Sequence, residues 1–291
     1  MIGASGLLGG AVAARLGRSG RPWIGASRSG LPGRLRRLDL LDREGLRRTL
    51  DEVRPRFVVD AAGHPPGASA EEMRDIHLVG SGNLLAAVEE SGRACRVLLV
   101  GTAAEYGNAA AGPGSDEDAE LRPLSAYGRI KALASERALL ARARGVDLVV
   151  ARVFNTIGPG QGSHLLAGAL LARLARGEQP LRVRDANFVR DWADVRDVAR
   201  ALVLVAETAA APPVVNVCTG TGRRVAELAS RLAGLASAAV ELEETAVSAA
   251  LPWRSVGLPH RLRALGFEPS FRFARSLADQ WRAAGSPGVR R

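Results

Sequence analysis

Between residues 22 and 153, short aliphatic runs alternate with longer stretches patterned for helix. PWIGAS (22–27), RFVVDAAG (56–63), RVLLVG (96–101) and VDLVVARVFN (146–155) read as strands. REGLRRTLDEV (43–53), EEMRDIHLVGSGNLLAAVEESG (71–92) and SAYGRIKALASERALLARARG (125–145) read as helices, the last ended by Gly145. Strands separated by helices cannot close as hairpins, so they are expected to join by crossovers into a parallel sheet. The strand runs lack polar alternation, as strands buried on both faces do. The predicted class is α/β, a doubly wound parallel sheet.

From about residue 154 the pattern changes. NTIGPGQGS is turn-rich, LLAGALLARLARGEQ helical, and LRVRDANFVRDWADV hairpin-like, leading into the helix DVRDVARALVLVAET. PPVVNVCTG reads as one more strand returning to the sheet, and RRVAELASRLAGL as a helix. The expected division is a sheet domain of residues 1–153 and 189–218, with a smaller α+β cap of residues 154–188 and 219–285. Residues 286–291 are expected to be a frayed tail.

The segment GASGLLG spaces Gly3, Gly6 and Gly9 three apart. Glycine there lets backbone turn tightly and approach a pyrophosphate, with helix N-terminal amides behind it. Only Met1 and Ile2 precede the loop, so the first strand is expected to be nearly absent and the true start to lie upstream. After the second strand stand Ser27 and Arg28 in place of an acidic residue. A hydroxyl and a cation suit a 2′-phosphate, so NADP is expected over NAD. Asp39 is a candidate for the adenine edge, or a cap of its own loop.

Of 40 Lys and Arg, a single lysine appears, Lys131, four residues after Tyr127. At i and i+4 on a helix the two share a face. A compact ammonium whose pKa can shift is what lysine offers over arginine. Beside a phenol it is expected to favour the tyrosinate, tuning Tyr127 for acid/base work. Thr102 follows RVLLVG at a strand's carboxyl end, where open α/β sheets bind ligands.

GASGLLG, GTAAEYG, SAYGRIK, RVFNTIGPGQ and VRDWADVRDV, in this order and spacing, resemble the extended short-chain dehydrogenase/reductases that act on nucleotide sugars. FNTIGPGQ and the segment after it are most similar to the GDP-4-keto-6-deoxy-mannose reductase branch. The resemblance covers nearly the whole chain. It implies a Rossmann-type dinucleotide-binding domain and a cap holding a nucleotide-diphosphate sugar. It further implies that Tyr127 is the acid/base, that Lys131 holds the nicotinamide ribose, and that Thr102 orients the sugar oxygen. The cofactor would lie against Gly3, Ser5, Gly6, Leu7, Leu8, Ser27, Arg28, Asp39, Leu40, Ala61, Ala62, Gly63, Tyr127 and Lys131. The substrate would meet Thr102, Ala103, Tyr127, Asn155 and Arg190, the last two at the diphosphate.

Three positions depart from the pattern. Ala104 stands where the dehydratases carry an acid, with Glu105 one place later and expected to point elsewhere, which disfavours dehydration. His77 stands where the family has Asn and is read as a packed residue, not a base. Leu258 stands where an acid for the nucleotide end is expected, and no equivalent arginine is evident upstream of Pro252. The leading expectation is an NADP-dependent reductase of a 4-keto-6-deoxy nucleotide sugar. An NAD-dependent epimerase and a non-catalytic dinucleotide-binding regulator are the alternatives.

The net charge is +10 and aromatics are 4%. The arginines are scattered in pairs, without blocks of like charge or stacking platforms, so nucleic acid is not an expected partner. No apolar run reaches the ~18–20 residues of a membrane span, and no charged-then-apolar leader is visible. Cys95 and Cys218 read as core residues rather than a disulfide framework. A cytoplasmic homodimer is expected, paired through helices 71–91 and 126–144.

Overall fold

In the computed structural model, residues 1–20, 22–64, 66–109, 112–244 and 253–285 are described; the expected tail 286–291 lies outside them. Chain order runs α1 (Leu7–Arg18), β1 (Ala26–Ser27), β2 (Arg36–Arg37), α2 (Arg43–Val53), β3 (Phe57–Asp60) and α3 (Ala70–Arg74). A π-helical turn, Asp75–Gly80, connects α3 to α4 (Ser81–Ser91). There follow β4 (Arg96–Thr102), a 3-10 turn (Ala103–Glu105), α5 (Ala126–Ala143), β5 (Leu148–Val153), β6 (Asn155–Ile157) and α6 (Leu166–Ala175). The last part holds β7 (Leu181–Arg184), β8 (Val189–Asp194), α7 (Val195–Glu207), β9 (Val214–Val217), β10 (Gly222–Arg224) and α8 (Val225–Leu235). It ends with β11 (Val240–Glu243), β12 (Arg254–Ser255), α9 (His260–Ala264) and α10 (Phe273–Ala283).

The main sheet is parallel, in the order β3-β4-β5-β9, with β1 and β2 paired beside it. Ile2 alone bridges the two parts, pairing with Ala26 on one side and Asp60 on the other. The first strand is thus reduced to one bridging residue, and below it a cleft of ≈ 960 Å³ opens among Met1, Ile24, Phe57 and Val58.

Successive residues of a strand point to opposite faces, and β4 divides its side chains accordingly. Leu98 and Val100 join a core with Val12 and Leu16 of α1 and Val198 and Leu202 of α7. Val97 and Leu99 join the opposite core with Leu46 of α2, Leu84 and Val88 of α4, and Ala138 of α5. The sheet is therefore covered on both faces, the doubly wound arrangement the alternation predicted. Cys95 and Cys218 are both buried and free.

A separate core gathers Leu170 and Leu174 of α6, Leu181 of β7, Trp192 of β8, Leu228 and Leu232 of α8, and Leu277 and Trp281 of α10. Here the hairpin expected over LRVRDANFVRDWADV is corrected. β7 pairs in parallel with β11, whereas β8 lies between β10 and β12 and also pairs β6. At the turn between them Asp185 takes a positive φ of 55° and accepts a hydrogen bond from the Phe188 amide. The two strands leave that turn for different sheets, although Leu181 and Trp192 bury their side chains in the same core. The single helix expected over 71–92 is also interrupted by the π-helical turn around His77. Such turns cluster at functional sites.

Candidate active site

All strands of the main sheet run one way, so their carboxyl ends share an edge. That edge carries Ser27 at the end of β1 with Arg28 after it, Ala61–Gly63 after β3, and Thr102 and Ala103 at the end of β4. The glycine loop lies beside them. Gly3 has φ +75°, and a side chain there would strike the Ala61 carbonyl. A side chain at Gly9 would collide with the Gly3 carbonyl. Both glycines are therefore required for the loop to lie against β3 and for α1 to lie against the loop. Gly6 caps α1 without a side chain, so amides at the helix start, from Leu7 and Leu8 onward, face outward without acceptors in the helix. Ser5 and Gly6 are exposed.

The Ser27 hydroxyl is buried and has no hydrogen-bond partner. A buried orphan hydroxyl next to a glycine cradle and a free helix start fits a dinucleotide phosphate or ribose. Arg28 is exposed at the rim, close enough to Glu72 to lower that carboxyl's pKa, after the hydrogen bonds from Ser69. Asp39 takes the second of its two expected roles, accepting from the Leu41 amide at 2.9 Å as a loop cap. Leu40 is buried in the core, its carbonyl bonded by Asn83.

Ser125 caps α5 by accepting from the Gly128 amide at 3.0 Å. Gly128 matters for a second reason: a Cβ there would lie 2.5 Å from the Ala104 carbonyl. Its absence lets α5 press onto the 3-10 turn after β4, and this brings Tyr127 to Thr102. One turn on, Lys131 is buried, and its ammonium donates to the Val100 carbonyl at 2.6 Å. Burial lowers the Lys131 pKa, while Glu105 and Asp60 raise it.

The expected acidification of Tyr127 is corrected. Burial pushes its pKa up to about 12; the nearby Thr102 hydroxyl pulls it down, and Glu105 adds to the rise. The reason is direction: the lysine ammonium is committed to β4. Desolvation therefore outweighs any charge effect on the phenol. Tyr106 is likewise pushed up to about 12, first by burial and against the pull of Arg152. These are the only tyrosines in the chain. A titration of the cofactor-free protein at 295 nm should show no tyrosinate below about pH 11, and both groups ionising near the ordinary ~10 in guanidinium. Phenolate appearing near neutral pH would show instead that the fold alone acidifies Tyr127.

Glu105 points away from the crevice, as expected. It is fully buried, bonded to Arg152 at 2.9 Å, and it accepts from the Thr102 amide at 2.8 Å. Arg152 also donates to the Tyr106 hydroxyl at 2.8 Å, and Tyr106 to Asn216 at 2.8 Å. This network ties β4, β5 and β9 together beneath Thr102. The sequence reading missed it, because a buried arginine within an apolar strand looks like any other.

On the cap side, Asn155 donates to the Asp191 carbonyl at 3.3 Å. Arg190 lies on β8, its Nε buried without a partner, and burial lowers its pKa with no anion to offset it. Arg254, missed above, lies on the adjacent strand β12 and has the same orphan Nε. Arg254 stands two residues after Pro252. The loop after β6 brings Gly160 close to Leu7 at the start of α1.

Two histidines that the motifs did not single out also converge here. His64 follows Ala61–Gly63, and His164 is near enough to act on its charge. His77 is buried, as expected, with its pKa driven to about 2 by burial, then by Lys131 and His64.

A sequence profile of the NAD dependent epimerase/dehydratase family matches residues 1–218. The dTDP-6-deoxy-L-talose 4-dehydrogenase (NAD(P)(+)) of Kitasatospora kifunensis is 30% identical over 99% of this chain and 96% of its own. The GDP-6-deoxy-D-mannose reductase of Pseudomonas aeruginosa is 33% identical over 84% of this chain and 81% of its own. Among solved structures, RMD from Pseudomonas aeruginosa complexed with NADPH superposes with a TM-score of 0.82 at 30% identity, covering 97% of each chain.

Proposed function

The chain belongs to the NAD dependent epimerase/dehydratase family, a family of NAD(P)-dependent enzymes, and from that premise we propose that it is an NADP-dependent reductase of a nucleotide-diphosphate 4-keto-6-deoxy sugar. The observation that carries this reading is the pair of hydroxyls, Thr102 and Tyr127, brought close to each other at the carboxyl end of β4 beside the glycine loop. Two curated relatives support the substrate class, since both are named for 6-deoxyhexoses on a nucleoside diphosphate. No helix among the described residues is long and apolar enough to cross a membrane.

Bound NADPH supplies hydride to the sugar C4 carbon. The chain's residues do the rest. Gly3, Gly6 and the start of α1 receive the pyrophosphate, and Ser27 and Arg28 the 2′-phosphate. Lys131, fixed by the Val100 carbonyl, presents its remaining N–H donors to the nicotinamide ribose. Tyr127 donates its proton to the oxygen developing at C4, and Thr102 donates a hydrogen bond to the same atom. A phenol held protonated by burial is suited to the reducing direction, in which it must begin as an acid. Arg190 and Arg254, each with a buried unpaired donor, take the diphosphate through charge-assisted bonds; Asn155 lies beside them. We assign the cofactor to the main sheet and the sugar to the cap built on β6, β8 and β12, which moves β8 (Val189–Asp194) from the expected sheet domain into the cap, since its strand partners among the described residues are β6, β10 and β12. The homodimer expected from the sequence is retained as part of this proposal.

The test is an NADPH oxidation assay with dTDP- and GDP-4-keto-6-deoxyhexoses. Consumption equal to the sugar reduced is expected, whereas an epimerase would recycle its hydride and consume none. NADPH is expected to exceed NADH in kcat/KM by about ten- to a hundredfold, and Arg28→Ala to remove most of that preference. Equal use of NADH would overturn the cofactor assignment.

A further inference from the structure

Three of the four histidines in the chain, His64, His77 and His164, gather at the crevice, though only His77 lies in a motif. His64 Nδ1 and His77 Nε2 are 2.8 Å apart. Both rings pack on Tyr127, with centroids 5.3 and 5.6 Å from the phenol ring. The two imidazoles stand nearly perpendicular, at 87°. His77 is buried in the π-helical turn, where its carbonyl accepts from the Ser81 hydroxyl at 2.6 Å. His64 is half-buried, at the carboxyl end of β3.

Two ring nitrogens at that distance share one hydrogen, so one imidazole donates and the other accepts. In either arrangement the second nitrogen of His64, Nε2, is left without a hydrogen bond from any described residue. If His77 donates, His64 Nε2 carries a hydrogen; if His64 donates, Nε2 offers a lone pair. The ring is kept neutral: burial lowers the His64 pKa first, and Lys131 and His164 lower it further. A neutral imidazole nitrogen beside the reacting hydroxyls is suited to a neutral partner that can both donate and accept. A pyranose hydroxyl has that chemistry, and a carboxylate does not.

We propose that His64 contacts a ring hydroxyl of the sugar next to the carbon being reduced, and that His77 is the positioning residue that sets its orientation and tautomer. This rests on the reductase reading and names the part of the substrate it reads. Sugars lacking that hydroxyl are disfavoured because His64 Nε2 is then desolvated without a partner.

Two near-isosteres separate the roles. Asparagine places its amide near the position of Nδ1 and so keeps the contact to His77; glutamine reaches the position of Nε2. His64→Ala and His64→Asn are each expected to lower kcat/KM for the keto sugar about 10- to 100-fold, with KM for NADPH unchanged. His64→Gln is expected to recover most of that loss. Recovery by asparagine but not glutamine, or no loss in any variant, would overturn the proposal in favour of a purely structural pair. Calorimetry with a dTDP- or GDP-6-deoxyhexose against the bare nucleoside diphosphate reads the sugar contact without turnover. The extra affinity conferred by the sugar should disappear in His64→Ala. A wild-type protein that neither binds nor reduces these sugars defeats the parent reading and this one together. A wild type that does both, with His64→Ala unchanged, defeats this one alone.

Discussion

Replacing Tyr127 with phenylalanine is expected to lower kcat for keto-sugar reduction by about 10²–10⁴-fold, the span that a positioned general acid contributes. The change removes one oxygen and nothing else. The ring keeps its packing on His64 and His77, and Gly128 still lets α5 lie on the turn after β4. Lys131 is held by the Val100 carbonyl, not by the phenol, so the cofactor cradle should survive. NADPH affinity, measured by calorimetry, is therefore expected to stay within about twofold. What is lost is the proton for the developing alkoxide and one of its two hydrogen-bond donors. Thr102 remains, but a hydroxyl of ordinary alcohol acidity is a poor acid. A kcat within tenfold of wild type would mean that another group delivers the proton.

The second large effect is on stability. Glu105→Ala is expected to cost about 3–5 kcal/mol, because it leaves the Arg152 guanidinium buried without its partner. At the few degrees per kcal/mol usual for domains of this size, Tm should fall on the order of 10 °C. Glu105 and Arg152 are both nearly inaccessible, at 0% and 4% side-chain exposure, so solvent cannot take over the charge. The Thr102 amide also loses its acceptor, so the residual activity of the folded fraction should fall as well. Substituting methionine for both Glu105 and Arg152 is expected to recover much of the loss, since removing both charges also removes the desolvation cost. Chemical denaturation of the two single variants and the double variant checks this. Additive losses would show that the pair is not coupled.

The fold is legible in the chain where the physics is local. REGLRRTLDEV is a helix because its apolar residues recur on one face, and Leu46 and Leu50 are the buried ones. β3, β4, β5 and β9 follow from uninterrupted aliphatic runs, which only a sheet covered on both faces can bury. The glycine loop was legible because steric demand leaves no other residue type at Gly3 and Gly9. The hairpin over LRVRDANFVRDWADV was misread because two adjacent strands pair by default. Here β7 found β11, and β8 found β10 and β12. Arg254 went unseen because its importance lies in a neighbour, Arg190, more than sixty residues away.

Residue order alone fixes the class of fold, the edge at which a dinucleotide would lie, and the presence of one phenol and one ammonium on one helical face. Those follow from periodicity and from the conformational limits of single residues, which act over a few positions. The electrostatics come from the packed fold: Lys131 turned to a β4 carbonyl, Tyr127 kept protonated by burial, and Glu105 locked to Arg152. The same packing decides that His64 and His77 share a hydrogen beside the phenol. Those outcomes depend on strand register and on how closely a helix can approach a turn, and residues distant in the chain set both.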